Sequence, residues 1–333
     1  MPVVTALLLI VSSFHTENFS AHGFAPYGVN RIFSAVVVCG VFYAFYGFAM
    51  VAMYASELEN PQKNIPRALI LSILISFLIY MLLQTAFIGS LPPDMVAKGW
   101  SQLNFTSPFA QLLILLDLHL LYLWSMVLYF DAAVSPSGTA IIYLGSAGRT
   151  VTGMAQDKQF PRYFDKVHPV YRLSRRSLLF TTAICCFILV FFKNWQELMI
   201  LVSVFQLISC VAIPVAFTRL RNEQPNSTRL YRVRFGKSLS YFIFLVVSFL
   251  LLEAEPVSLL LALVLHLVFF LLYAFNFYQH QLNNIISAFY SSSSLFVYMV
   301  LVTVFGFLKQ SSPSYTVVIY LFFMGFMTYN FML

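Results

Sequence analysis

Nine runs of almost uninterrupted apolar residues set the terms on which this chain folds. They lie near 32–56, 68–91, 121–146, 178–193, 197–218, 239–254, 257–275, 295–308 and 315–332. A bilayer core of about 30 Å takes about 20 helical residues to cross, and several of the runs reach that length. Their apolar residues are consecutive, whereas a membrane barrel alternates apolar and polar positions in segments of about ten residues. The composition agrees: 60% of the residues are hydrophobic and 9% charged, against roughly a quarter charged in soluble domains. The pattern predicts an all-α polytopic membrane protein with about nine full transmembrane helices. A shorter run at 3–14 predicts one partial helix. It is too short to span and lacks the positive leader of a signal peptide, so it reads as the second half of a helix.

Basic residues orient the spans, because loops rich in Lys and Arg stay on the cytoplasmic side. Lys63 and Arg67 follow one run. Arg149, Lys158, Arg162, Lys166, Arg172, Arg175 and Arg176 follow a second, and Arg219, Arg221, Arg229, Arg232, Arg234 and Lys237 a third. These fifteen of the 19 basic residues fall on one side, leaving Arg31, Lys98, Lys193 and Lys309 on the other. The expected topology puts Arg31 outside, residues 57–67 inside and the C-terminus in the cytoplasm. The net charge of +7 then reflects loop placement beside acidic lipid headgroups, and no nucleic-acid partner is needed to explain it.

Metal and catalytic signatures are missing from the sequence. Cys39, Cys185, Cys186 and Cys210 sit inside apolar runs without paired zinc spacing and read as reduced packing residues. His15, His22, His168, His266 and His280 show no metal spacing, and there is no phosphate loop, nucleophile elbow or HExxH pattern. No cofactor is expected. The acceptor triplets at Asn18, Asn104 and Asn226 are weak, since the last lies on the cytoplasmic side. Asp117 and His119 read as part of an amphipathic outer segment, Glu57 as a solvated or paired helix end, and Glu197, Glu253 and Glu255 as helix ends near the outer boundary.

Two stretches carry sharper signals. The first, GVFYAFYGFAMVAMYASELENPQKNIPRAL over 40–69, sets Gly40 and Gly47 among Phe42, Tyr43, Phe45, Tyr46 and Phe48. A glycine inside a helix costs about 1 kcal/mol relative to alanine. It marks either a close-packed helix contact or a discontinuous helix whose freed backbone binds a zwitterion under aromatic rings. Asn60, Pro61, Asn64 and Pro66 then predict a helix end. The second, YFDAAVSPSGTA over 129–140, places Asp131 near the middle of its run, where a carboxylate costs about 2.5 to 3.5 kcal/mol. Pro136 removes the bond to the Ala132 carbonyl, and Ser135, Ser137 and Thr139 carry hydroxyls able to satisfy freed groups. A kinked helix with an inward-bonded or protonated acid is one reading. A proton or cation site is the other.

FYAFYGF, ELENPQKNIPRALI, DAAVSPSGT and GRTVTGMAQDKQFPRYFDKVHPVYR, preceded by NFSAHGFAPYGVNRIFSA, closely resemble the amino acid-polyamine-organocation permeases. Within them the likeness is to bacterial amino acid permeases of the aspartate-proton symporter kind, over residues 12 to 275. The resemblance implies a partial leucine-transporter-type inverted-repeat fold. It implies that residues 1–14 are the remnant of helix five, 15–31 an outer loop, 32–275 the second repeat with its following helices, and 276–333 two extra C-terminal helices. Phe42, Tyr43, Phe45, Tyr46 and Gly47 match the broken sixth helix that contacts substrate. Asp131, Ser135, Ser137 and Thr139, on the match to helix eight, are the candidates for proton or sodium coupling.

The family's first helix, which holds the substrate carboxylate and amino groups, has no counterpart here, nor has its lysine on helix five. The expectation is therefore a fragment of an amino acid permease of the bacterial inner membrane, inactive alone, with a possible N-terminal half encoded separately. Two rivals stand beside it. A non-transporting membrane subunit would pair with such a half, and a membrane-embedded enzyme would need a His-acid cluster that the sequence does not display.

Overall fold

The computed structural model describes residues 1–23, 26–53, 55, 58–116, 119–170, 173–192, 194–228, 232–278, 282–312 and 315–332. The positions of Glu57, Asp117, Arg172, Lys193, Arg229 and His280 lie outside them. All regular structure among the described residues is helical. Its helices are α1 (Pro2–Ser12), α2 (Val29–Val38), α3 (Val41–Phe45), α4 (Met50–Met53), α5 (Pro61–Ser90), α6 (Pro93–Ala97) and α7 (Pro108–Leu115). They continue with α8 (His119–Gln156), α9 (Arg175–Phe191), α10 (Trp195–Glu223), α11 (Gly236–Leu252), α12 (Pro256–Tyr278), α13 (Leu282–Ser311) and α14 (Thr316–Met332).

Each predicted run carries helix, but span lengths differ from expectation. Among the described residues five helices are long and apolar enough to cross a bilayer, and a sixth span results if the bent α2–α3 pair is one. At 17 residues each, α9, α11 and α14 reach only about 25 Å at 1.5 Å per residue. The preceding helix does not run on through ENPQKNIPRA, as expected, but Pro61, Asn64 and Pro66 already belong to the next helix. Asn60 adopts the left-handed φ of 49° that asparagine tolerates, and its carbonyl accepts the Lys63 and Asn64 amides. Pro61 opens α5, where its missing N–H costs nothing, and Pro66 is carried inside the helix.

The chain forms two compact units, Met1–Val29 with Pro66–Ser146, and Asn30–Ile65 with Ala147–Leu333. In the first, Ala6 and Leu9 of α1 pack with Ala86, Leu91, Val96, Leu112, Leu113 and Leu121. Trp124 donates to Thr5 Oγ1 at 3.0 Å, tying α8 to α1. The loop after α1 is fastened to the end of α5. Buried Asn18 donates to the Ile88 and Leu91 carbonyls at 2.8 and 2.9 Å, and the His15 amide donates to Gly89 O at 2.7 Å. Asn18 is thus spent internally, which disposes of it as a glycan acceptor.

The second unit has the larger core, built from α10, α11, α13 and α14 around Leu207, Phe244, Leu251, Tyr298, Phe323 and Met327. Two of its buried hydroxyls, Ser248 and Tyr298, satisfy each other at 2.9 Å. One expectation changes here. Cys39, Cys185 and Cys186 are exposed on this unit, while Cys210 is half-buried, so only the last packs against the core. Glu253 is buried, with its carboxylate 2.8 Å from Lys309 Nζ.

Candidate functional site

The break in the first aromatic stretch is local and has a definite cause. Between α2 and α3, Gly40 sits at φ 71°, and the Arg31–Val38 and Val41–Ala49 segments meet at 57°. A β-carbon on Gly40 would fall 2.2 Å from Met199 Sδ, so both backbone conformation and packing select glycine. Gly40→Ala is expected to destabilise the protein by about 1–3 kcal/mol, read as a lower unfolding midpoint in detergent. Met199→Ala in that background should recover the packing part only. Gly47 differs: its φ is not positive and no neighbour crowds its α-carbon, so its place in the 3-10 turn Tyr46–Ala49 does not require glycine.

The chain after the break carries the five candidate substrate residues. Phe42, Tyr43, Phe45 and Tyr46 are half-buried and Gly47 is exposed. The Phe42 and Tyr46 rings lie 5.8 Å apart and the Tyr46 and Phe48 rings 5.7 Å apart. Tyr43 meets Trp195 of α10 edge-on at 6.2 Å. The Tyr46 hydroxyl lies 3.0 Å from Ser209 Oγ on α10. Sequence reasoning missed Ser209 and Trp195, whose only signal was polar and aromatic character inside an apolar run.

The coupling candidates occupy α8, in the first unit. The helix runs unbroken through Pro136. Ser137 donates to the Ala133 carbonyl at 2.7 Å and Thr139 to the Ser135 carbonyl at 3.2 Å, giving this proline-bearing turn side-chain bonds. Asp131, Ser135 and Thr139 recur every four residues and so share one helix face. The three hydroxyl residues are exposed and Asp131 is half-buried. Among the described residues its carboxylate makes no hydrogen bond or ion pair. No group of three His, Cys, Asp or Glu side chains able to hold a metal occurs among them either.

The amino acid permease family model matches residues 1–305. The chain belongs to the amino acid permease family. Its members are transporters, which sets the enzyme reading aside. This permease is 39% identical to the glutamate/serine transporter AimA of Bacillus subtilis over 70% of its own length and 43% of that protein's. It is 32% identical to the aspartate-proton symporter of the same organism, over 66% of its length and 42% of the symporter's. The branched-chain amino acid permease BcaP, also of Bacillus subtilis, is 25% identical over 74% of this chain and 51% of that protein. The aligned region thus spans about half the length or less of these relatives. No solved structure matches the chain.

Proposed function

We propose that this permease takes part in moving a small amino acid across the bacterial inner membrane by alternating access, coupled to a proton or sodium gradient, with its C-terminus in the cytoplasm. Phe42, Tyr43, Phe45, Tyr46 and Gly47 form one wall of the substrate site. Asp131, with Ser135, Ser137 and Thr139, carries the coupling ion. The observation that carries this reading is the bend at Gly40, which opens a membrane-depth helix just before half-exposed aromatic rings. Irregular backbone at that depth is tolerated where it lines a cavity or is buried in protein. Family membership and the names of the relatives point to amino acid as the cargo, with glutamate, serine and aspartate the first to try.

The remaining helices of the transport unit come from outside these 333 residues, in a longer polypeptide or a separate N-terminal half. An unpaired acid at mid-span is too costly to leave facing acyl chains, and the polar face of α8 needs a protein neighbour. The test is uptake of labelled glutamate, serine and aspartate into liposomes. They hold either this chain alone or the chain co-reconstituted with the N-terminal half of the glutamate/serine transporter. Gradient-driven accumulation only in the paired sample is expected. Accumulation by the chain alone would remove the need for further helices, and none in either sample would sink the transport reading.

A further inference from the structure

We infer that Ser209 is a positioning residue for Tyr46, and that the hydrogen-bond chain joining them leaves the Tyr46 oxygen as an acceptor for an N–H donor, the ammonium group of an amino acid. The inference rests on the reading of residues 42–47 as a substrate wall and adds to it a residue and a polarity.

The polarity follows from counting protons. A serine hydroxyl has one proton and two lone pairs. Ser209 gives its proton to the Gln206 carbonyl at 2.8 Å, inside its own helix. In the 3.0 Å contact with Tyr46, serine is therefore the acceptor and the phenol the donor. The Cys210 thiol also lies against the Tyr46 hydroxyl. Sulfur is a weak partner and competes poorly with Ser209 Oγ for the phenol proton. With its proton committed to α10, the Tyr46 oxygen offers only lone pairs to whatever approaches.

Three further features agree. Tyr46 is fixed along its length, its ring by Phe42 and Phe48 and its hydroxyl by Ser209, so its lone pairs have a defined direction. The Tyr46–Ser209 contact is exposed, as expected of a surface lining a polar path. One turn before Ser209, Gln206 carries a buried side-chain oxygen without a hydrogen-bond partner among the described residues. Gln206 Oε1 adds an acceptor on this face of α10, beside the N–H donors of its own amide. An ammonium, with three donors and no acceptor, complements the Tyr46 oxygen, whereas a carboxylate does not.

The experiment places 3-fluorotyrosine at position 46 of the full chain in nanodiscs, alone and paired with the N-terminal half, and follows its fluorine resonance. Ser209→Ala should move and broaden the resonance without ligand, and Ser209→Thr should restore it. Titration with L-serine should shift the signal, while glycerate, with a hydroxyl in place of the ammonium, should not. Apparent affinity for L-serine should fall about tenfold in Ser209→Ala and recover in Ser209→Thr. An unmoved resonance in Ser209→Ala overturns the positioning role. Equal binding of glycerate, or no shift with any amino acid, overturns the acceptor role. Transport itself is judged by the uptake test above, so the two failures are separable.

Discussion

Asp131→Asn is expected to abolish gradient-driven accumulation of amino acid by the assembled transporter while leaving counterflow exchange intact. The substitution keeps shape and hydrogen-bonding capacity and removes the charge that a translocated proton or cation would neutralise. Of the four coupling candidates, Asp131 alone carries a carboxylate. Ser137 and Thr139 already donate to their own helix carbonyls, so alanine there should trim cation binding and loosen the Pro136 turn by about 1 kcal/mol rather than stop coupling. A carboxylate at mid-span, with no partner among the described residues, is destabilising by about 2.5 to 3.5 kcal/mol, which a purely structural residue would have no reason to keep. The measurement is uptake against pH in proteoliposomes, with exchange measured in parallel. An unchanged pH profile and full accumulation in Asp131→Asn would make this acid structural.

The all-helical, multi-span character of the fold could be read from composition because it depends on a one-dimensional quantity, the length of apolar runs. The bend at Gly40 was half legible. A glycine inside an aromatic run admits both a close contact and a break, and here it serves both, with Met199 filling the space a β-carbon would need. Pro61 and Pro66 marked the boundary but not the side they fall on, because a proline reads alike at the end of one helix and the start of the next, and the left-handed turn at Asn60 decides between them. Contacts distant in sequence left no trace. Ser209 meets Tyr46 across 163 positions, and nothing in either local sequence marks the pairing. The same holds for Glu253, whose place at a helix end gave no hint of its partners 56 and 67 residues away.

Those partners make Lys309→Met the substitution with the largest expected cost in stability. Glu253 caps α11, where the helix dipole places partial negative charge and a carboxylate is disfavoured. Its side chain is only 4% exposed, so water does little to offset that repulsion. Lys309 of α13 supplies the compensation, with Nζ 2.8 Å from Oε2 and 3.5 Å from the Leu252 carbonyl at the end of α11. The Tyr320 hydroxyl of α14 donates to the other carboxylate oxygen, and its ring lies 5.2 Å from the ammonium. Three helices thus meet at one charge pair. Removing the cation strands a buried carboxylate at a helix C-terminus and should cost roughly 3–5 kcal/mol. Glu253→Leu strands instead an ammonium that is 23% exposed and still faces a carbonyl and an aromatic ring, so its cost should be smaller. The double substitution Glu253→Leu with Lys309→Met leaves no charge unpaired and should recover most of the loss. Unfolding midpoints of the four proteins in nanodiscs measure the coupling. Additive losses would show that the pair does not hold α13 and α14 to α11, whereas a double variant nearer to the parent than Lys309→Met identifies the stranded charge as the source of the cost.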